Sequence, residues 1–257
     1  MSGLMDGKAG LVTGAASGIG RACALRFAQE GAAVVVADLE SSRAGGEETV
    51  GTIAEAGGEA EFFACDVSRA EDNEALVARA VERFGRLDFA HNNAGIGVHQ
   101  LLHETSDEDF DRVIAVNLRG TFLGLKHQVR QMLEQGGGAI VNTSSNAGLR
   151  AVTLLSAYTA SKHGILGLTK NAAVEYANEG IRVNAVCPGA IMTPLMSNEP
   201  PERQQEILAP QAMTRFGEPE EVAAAVVWLC SDEASFVTGV ALPVDAGSVA
   251  WVSGQRD

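Results

Sequence analysis

The chain has 257 residues, 46% hydrophobic and 20% charged, enough apolar sequence to bury a full core in one α/β domain. Its formal charge of −14 at neutral pH and the lack of any Lys/Arg run argue against a phosphate backbone as partner, so no nucleic acid is expected. The longest purely apolar run, VAAAVVWLC at residues 222–230, is too short for a bilayer, and the amino end MSGLMDGK has no signal-peptide core, so the expectation is a cytoplasmic protein with no membrane contact.

In chain order, AGLVT, AAVVVA and EAEFFAC read as strands separated by the helical patterns IGRACALRFAQEG and RAGGEETVGTIAEAGG. An amphipathic helix EDNEALVARAVERFG follows, then a strand LDFAHN, a helix opened by the capping-box pattern from Thr105 to Glu108, and the strand AIVNTSS. The segment that begins SAYTASKHG predicts a helix to about Glu179. After it come a strand IRVNAVCPG, an irregular Met/Pro-rich region, a helix from Pro219 and a final strand GVALPVD. This alternation predicts an α/β fold: a doubly wound Rossmann-type parallel sheet of about seven strands, helices on both faces, right-handed crossovers. No linker, repeat or low-complexity tract interrupts it, which predicts a single domain over residues 1–257 with a substrate lid at about residues 190–216. Cys23, Cys65, Cys187 and Cys230 are far apart with no C-x-x-C pair, and read as buried small hydrophobes.

Between the first strand and helix lies TGAASGIG, with Gly14, Gly18 and Gly20. The spacing is not G-x-G-x-x-G and lacks the Gly-Lys-Ser/Thr of a triphosphate loop. The physics is still that of a phosphate cradle, with close backbone approach and a helix N-terminus behind it, although the turn alone is equally a plain tight turn. Asp38, ending the second strand, is placed to accept hydrogen bonds from an adenosine ribose. It would repel a 2′-phosphate, and neither residues 15–17 nor Leu39 supplies a cation, which favours NAD over NADP.

Tyr158 and Lys162 stand four residues apart, one helical turn, so the ammonium can approach the phenol. Acid/base work near neutrality needs a phenol about 3 units below its ordinary value, roughly 4 kcal/mol. A unit charge about 4 Å away at an effective dielectric of about 20 supplies roughly that much. Tyr158 would then take the alcohol proton as hydride leaves for the nicotinamide. As an isolated Y-x-x-x-K, the same pair is an ordinary helix-surface contact.

With TGAASGIG, NNAG at residues 92–95 and YTASK at residues 158–162 in this order, the chain resembles the single-domain branch of the short-chain dehydrogenase/reductase family over essentially its whole length. The resemblance implies a catalytic set of Asn117, Ser145, Tyr158 and Lys162, with Ser145 steadying the substrate oxygen and Asn117 anchoring a water that relays the proton outward. It implies cofactor contacts from Gly14, Ser17, Gly18, Ile19 and Gly20, from Asp38 at the ribose, and from Asp66 and Val67 at the adenine. Asn93, Ala94 and Gly95 belong to that set, as do Tyr158 and Lys162 at the nicotinamide ribose and Pro188, Gly189, Ile191 and Thr193 beside the nicotinamide. No metal is implied. VDAG at residues 244–247 departs from the usual VDGG. A homotetramer follows from the resemblance as well, and the small residues Ala157, Ala160, Ser161, Gly164 and Gly167 suggest that another backbone packs closely on this helix.

Leu149, Leu154, Leu155, Met192, Leu195, Met196 and Met213 are candidate pocket residues, or a lid closing on the core. They point to an apolar secondary alcohol or ketone, cyclic or hydroxysteroid-like. Arg150 would meet an anionic group or stay a solvated loop arginine. Two other functions stand beside the dehydrogenase. A 3-oxoacyl-carrier reductase would prefer NADPH and need a basic docking patch. A non-catalytic NAD-binding regulator would usually have lost the Tyr, Lys or Ser. His91, His99 and His103 form no metal-ligand pattern.

Overall fold

The computed structural model describes residues 3–250, without the side chain of Leu195. Seven strands, β1 (Ala9–Thr13), β2 (Ala33–Asp38), β3 (Ala60–Ala64), β4 (Phe89–Asn92), β5 (Gly138–Thr143), β6 (Ile181–Pro188) and β7 (Ala241–Val244), form one sheet in the order β3-β2-β1-β4-β5-β6-β7. Every pairing is parallel, as the βαβ alternation requires. The order reverses between β1 and β4, which opens a crevice at the carboxyl ends of these strands.

The helices are α1 (Gly18–Gln29), α2 (Arg43–Glu55), α3 (Ala70–Phe84), α4 (Asp107–Val113), α5 (Gly120–Gln135), α6 (Ser156–Tyr176), α7 (Pro194–Ser197), α8 (Pro201–Leu208) and α9 (Pro219–Cys230). Strand residues alternate between two cores. Val12, Val34, Val36, Val141 and Val186 pack against Phe27 of α1 and Val222, Val226 and Val227 of α9. Leu11, Val35, Ile140 and Val183 face Leu76 and Val77 of α3, Leu125 and Val129 of α5 and Ala172 and Ala173 of α6. Each fully buried Val or Leu contributes about 1.5–3 kcal/mol. The inner strands β1, β2, β4, β5 and β6 are largely buried on both sides, whereas the edge strands β3 and β7 are half-buried. Phe27 stacks on Phe89 with ring centroids 4.0 Å apart. All four cysteines are buried, and among the described residues no helix is long and apolar enough to cross a membrane.

One local expectation changes. The cap of α4 is Ser106, whose Oγ accepts from the Asp109 N–H at 3.1 Å. Thr105 instead donates to the Leu101 carbonyl at 3.1 Å. The helix starts one residue later than the Thr105–Glu108 pattern implies, which sets Asp107, Glu108 and Asp109 in the first turn, where the helix dipole favours them. Between α4 and α5 the helix continues through a π-turn, Ile114–Arg119, that carries Asn117. Within the chain, no backbone packs on the glycines of α6: a Cβ on Gly164 would meet the Leu118 side chain at 2.8 Å, and one on Gly167 would meet open space.

The chain leaves the sheet after β6 and returns at Gly217, where Ile191 bridges to Gly217 and the Met192 N–H donates to the Gly217 carbonyl at 2.8 Å. The excursion between them holds α7 and α8 above the carboxyl end of the sheet.

Candidate functional site

At the crevice, the ends of β1 and β4 are tied together. Thr13 Oγ1 accepts from the N–H groups of Asn93 (2.9 Å) and Ala94 (3.1 Å), and Asn93 Nδ2 donates to the Thr13 carbonyl at 3.0 Å. Next in the chain, Gly14 takes φ +65° and Gly18 φ +53°, a region that disfavours side chains. A Cβ on Gly20 would lie 2.1 Å from the Gly14 carbonyl oxygen, so the turn closes only because Gly20 has none. Ser17 begins α1 without a side-chain cap, leaving the N–H groups of Gly18, Ile19 and Gly20 at the open end of the helix, while the Arg21 N–H donates to the Ser17 carbonyl at 3.1 Å. A Cβ on Gly18 would come within 3.3 Å of Thr193 Cγ2, so the glycine turn and the segment after β6 face one another.

Asp38 lies beside this turn, its carboxylate accepting from the Ala16 N–H (2.9 Å) and the Leu39 N–H (2.8 Å). The flanking cations are engaged elsewhere. Arg21 pairs with Glu48 at 2.9 Å and donates to the Ala16 carbonyl at 2.7 Å, and Arg43 pairs with Glu40 at 2.7 Å. Asp66 accepts from the N–H (2.9 Å) and hydroxyl (2.7 Å) of Ser68. Val67 is buried where Gly120 passes: a Cβ there would lie 3.0 Å from Val67 Cγ2. The helix N-terminus and glycine turns are groups that could hold a pyrophosphate, and the Asp38 carboxylate is one that could accept from ribose hydroxyls.

Three of the four candidate catalytic residues, Asn117, Tyr158 and Lys162, converge on the turn after β4, and Ser145 joins them through the Tyr158 phenol. A Cβ on Gly95 would sit 3.3 Å from Asn117 Oδ1 and 3.4 Å from Lys162 Nζ, and one on Gly97 3.6 Å from Tyr158 Cδ2. Asn117, fully buried, clamps the backbone of Ile96 from both sides, its Oδ1 accepting from the N–H at 2.8 Å and its Nδ2 donating to the carbonyl at 2.9 Å. Ser145 is buried at the end of β5, with Oγ accepting from the Ala147 N–H at 3.1 Å. Lys162, 2% exposed, donates from Nζ to the Thr143 carbonyl at 2.8 Å and lies over the Tyr158 ring, 5.3 Å from its centroid. The entry to α6 is pinned at Leu154, which takes φ +64° while its carbonyl accepts from the Gln100 N–H at 2.9 Å.

Burial pushes the Tyr158 phenol above its ordinary value, and the Ser145 hydroxyl pulls it partly back. Burial pushes the Lys162 ammonium down to about 8. The protein's own groups therefore do not lower the phenol as the one-turn spacing suggests. The ammonium is spent on the Thr143 carbonyl and faces the ring instead of the hydroxyl, and dehydration of both groups outweighs their attraction.

On the far side, a Cβ on Gly189 would lie 2.7 Å from Asp245 Cα, its N–H donating to the Val244 carbonyl at 3.0 Å. Pro188 ends β6 and Ile191 is buried in the core beneath. Of the candidate pocket residues, Leu149, Leu154, Leu155, Met192 and Met196 are half-buried and Met213 is exposed, while the Leu195 side chain lies outside the described residues. Two members of the site carry no sequence signal. Ser161 holds Asn117 Nδ2 at 3.0 Å. His91, fully buried and driven down to about 3 by that burial, bonds through Nε2 to Thr143 Oγ1 at 2.8 Å, under the lysine anchor. Among the described residues no His/Cys/Asp/Glu group could hold a metal ion.

A family model described as "Enoyl-(Acyl carrier protein) reductase" matches residues 14–248. Levodione reductase of Leifsonia aquatica is 42% identical over 251 residues, 93% of each chain. The chain belongs to the short-chain dehydrogenase/reductase family. Cyclohexanol dehydrogenase of Acinetobacter sp. (strain SE19), another relative, is 46% identical over 246 residues, 95% of this chain and 96% of that one. The crystal structure of levodione reductase resembles this short-chain dehydrogenase/reductase with a TM-score of 0.91 at 41% identity, covering 96% of this chain and 100% of that chain. The protein is thus an oxidoreductase, and its family works with a nicotinamide cofactor.

Proposed function

We propose that this enzyme is an NAD-dependent dehydrogenase of apolar secondary alcohols, reversible to the ketone, with a cyclic or hydroxysteroid-like substrate. The observation that carries the reading is the convergence of Asn117, Tyr158 and Lys162 on the Gly95–Gly97 turn, with the Ser145 hydroxyl bonded to the Tyr158 phenol. A bound nicotinamide would supply the hydride acceptor for the alcohol carbon, or the hydride donor for the ketone. Tyr158 takes the alcohol proton and gives it back in reduction. Ser145 hydrogen-bonds the substrate oxygen as charge develops on it. Lys162, whose Nζ donates to the Thr143 carbonyl at 2.8 Å, would hold the nicotinamide ribose with its remaining N–H groups and lend its charge to the phenolate. Asn117 fixes the Ile96 backbone beneath and anchors the relay water.

NAD is favoured because Asp38 faces the ribose position and Arg21 and Arg43 are already paired with carboxylates. Asp66 and Val67 seat the adenine. The cyclic substrate class is supported by the half-buried Leu149, Leu155, Met192 and Met196 and by the relatives named for cyclohexanol and levodione. We read the chain as one cytoplasmic domain with a lid over residues 190–216. Exposed Phe122, Val174 and Phe236 support assembly into a homotetramer. A carrier-protein reductase is disfavoured by the charge of −14, which would repel an acidic carrier.

The test is a steady-state screen of purified enzyme for NADH formation across cyclic alcohols, hydroxysteroids, polyols and 3-hydroxyacyl thioesters. The reading expects the highest kcat/KM among cyclic alcohols and steroids, with NAD over NADP. A preference for thioesters with NADP would overturn it.

A further inference from the structure

A partly buried polar chain runs from Ser145 to the segment that follows β7 and takes no part in the hydride and proton transfer. Ser145 Oγ donates to Asn146 Oδ1 at 3.1 Å, Asn146 Nδ2 donates to Ser248 Oγ at 3.3 Å, and Arg150 Nη2 donates to the same oxygen at 2.7 Å. Ser248 is 1% exposed. Arg150 forms no ion pair among the described residues, and its buried Nε has no partner. Asn146 is therefore held on its amide side by Ser248, 102 positions away and itself fixed by Arg150, and turns its carbonyl side toward Ser145.

We propose that Asn146, seated by Ser248 and Arg150, is a positioning residue that governs where the Ser145 hydroxyl sends its one proton. The inference rests on the reading of Ser145 and Tyr158 as the catalytic pair. A hydroxyl has a single hydrogen to donate. Held by the Ala147 N–H at 3.1 Å, the Ser145 oxygen stays in place while, before substrate binds, its hydrogen has two acceptors in reach, Asn146 Oδ1 and an ionised Tyr158. While Tyr158 keeps its proton, the Ser145 hydrogen rests on Asn146; when Tyr158 gives its proton up, the hydrogen turns to the phenolate. Asn146 therefore competes with the phenolate for that hydrogen and resists ionisation of Tyr158. Removing the acceptor ends the competition and favours the phenolate. Converting it to a carboxylate strengthens the competition and adds a negative charge nearby. The other charged and titratable groups around Tyr158 and Ser145 are Lys162 on α6, Cys187 on β6, Asp245 after β7 and Arg150. All remain in every variant, so differences between variants report Asn146.

The experiment measures kcat/KM against pH for cyclohexanol oxidation with NAD and for cyclohexanone reduction with NADH, in wild type, Asn146→Leu, Asn146→Asp and Ser248→Ala. A tyrosinate absorbance titration of each, with Tyr158→Phe subtracted, gives the same ionisation without substrate. Asn146→Leu should move the acid limb of oxidation and the basic limb of reduction together to lower pH, by about half to one unit, the worth of one hydrogen bond. Ser248→Ala should move them the same way by less, and Asn146→Asp should move both upward. Limbs that stay in place, or move alike in Asn146→Leu and Asn146→Asp, overturn the inference. Ser145→Ala separates the two levels. If that variant is inactive and the limbs do not move, only the role of Asn146 falls. If it is fully active, the catalytic reading falls, and this inference with it.

Discussion

Lys162 should leave a signature in stability that is separate from turnover. Its ammonium is buried, and burial lowers it from 10.5 to about 8. The drop corresponds to a cost of about 3 kcal/mol for carrying the charge in the folded protein. Below about pH 8 both folded and unfolded chains hold the proton and the cost is fully present. Between about pH 8 and 10.5 the folded protein has released a proton that the unfolded chain still binds, so the free energy of unfolding rises with pH across this window. Lys162→Met fills similar volume and cannot titrate. Urea unfolding of both proteins without cofactor, at pH steps from 7 to 10.5, isolates the effect because other groups cancel in the difference. Wild type should gain about 3 kcal/mol on the variant from the low to the high end of that range. A difference that stays flat, or falls, would show that the ammonium is not dehydrated in this site and refute the reasoning.

Other outcomes follow from single contacts. Gly20→Ala drives a Cβ to 2.1 Å from the Gly14 carbonyl, so fluorescence titration should find NAD binding weakened by about tenfold or more, with a lower Tm. Ser106→Ala removes the acceptor for the Asp109 N–H and should cost about 1 kcal/mol in denaturant unfolding, leaving kcat/KM unchanged. Asp38→Asn removes the charge that repels a 2′-phosphate; the NAD-to-NADP ratio of kcat/KM should fall by roughly tenfold, and an unchanged ratio would deny Asp38 its role.

The sheet was legible in the sequence because its inner strands are short, β-branched and apolar and its helices are periodic, patterns set by burial. The glycine turn was equally legible, since Gly14, Gly18 and Gly20 occupy positions where a Cβ meets backbone or a positive φ. What stayed hidden depends on contacts between distant segments. The Ser161 bond to Asn117, the His91 bond to Thr143 and the grip of Ser248 on Asn146 join residues 44, 52 and 102 positions apart, and no local pattern encodes them. The one-turn spacing of Tyr158 and Lys162 indicated that the two meet, but not that the ammonium would choose the Thr143 carbonyl. The cap of α4 slipped by one residue because Thr105 and Ser106 are both good caps, and three acidic residues in the first turn decided between them.

The central claim is that Tyr158 moves the proton that accompanies hydride transfer, and Tyr158→Phe tests it most directly, since only the hydroxyl is lost. Measured together, kcat for a cyclic alcohol and the Kd for NAD should separate: kcat lower by about 10²–10⁴-fold, Kd unchanged within about threefold. A variant that kept more than about a tenth of wild-type kcat with NAD binding intact would contradict the account.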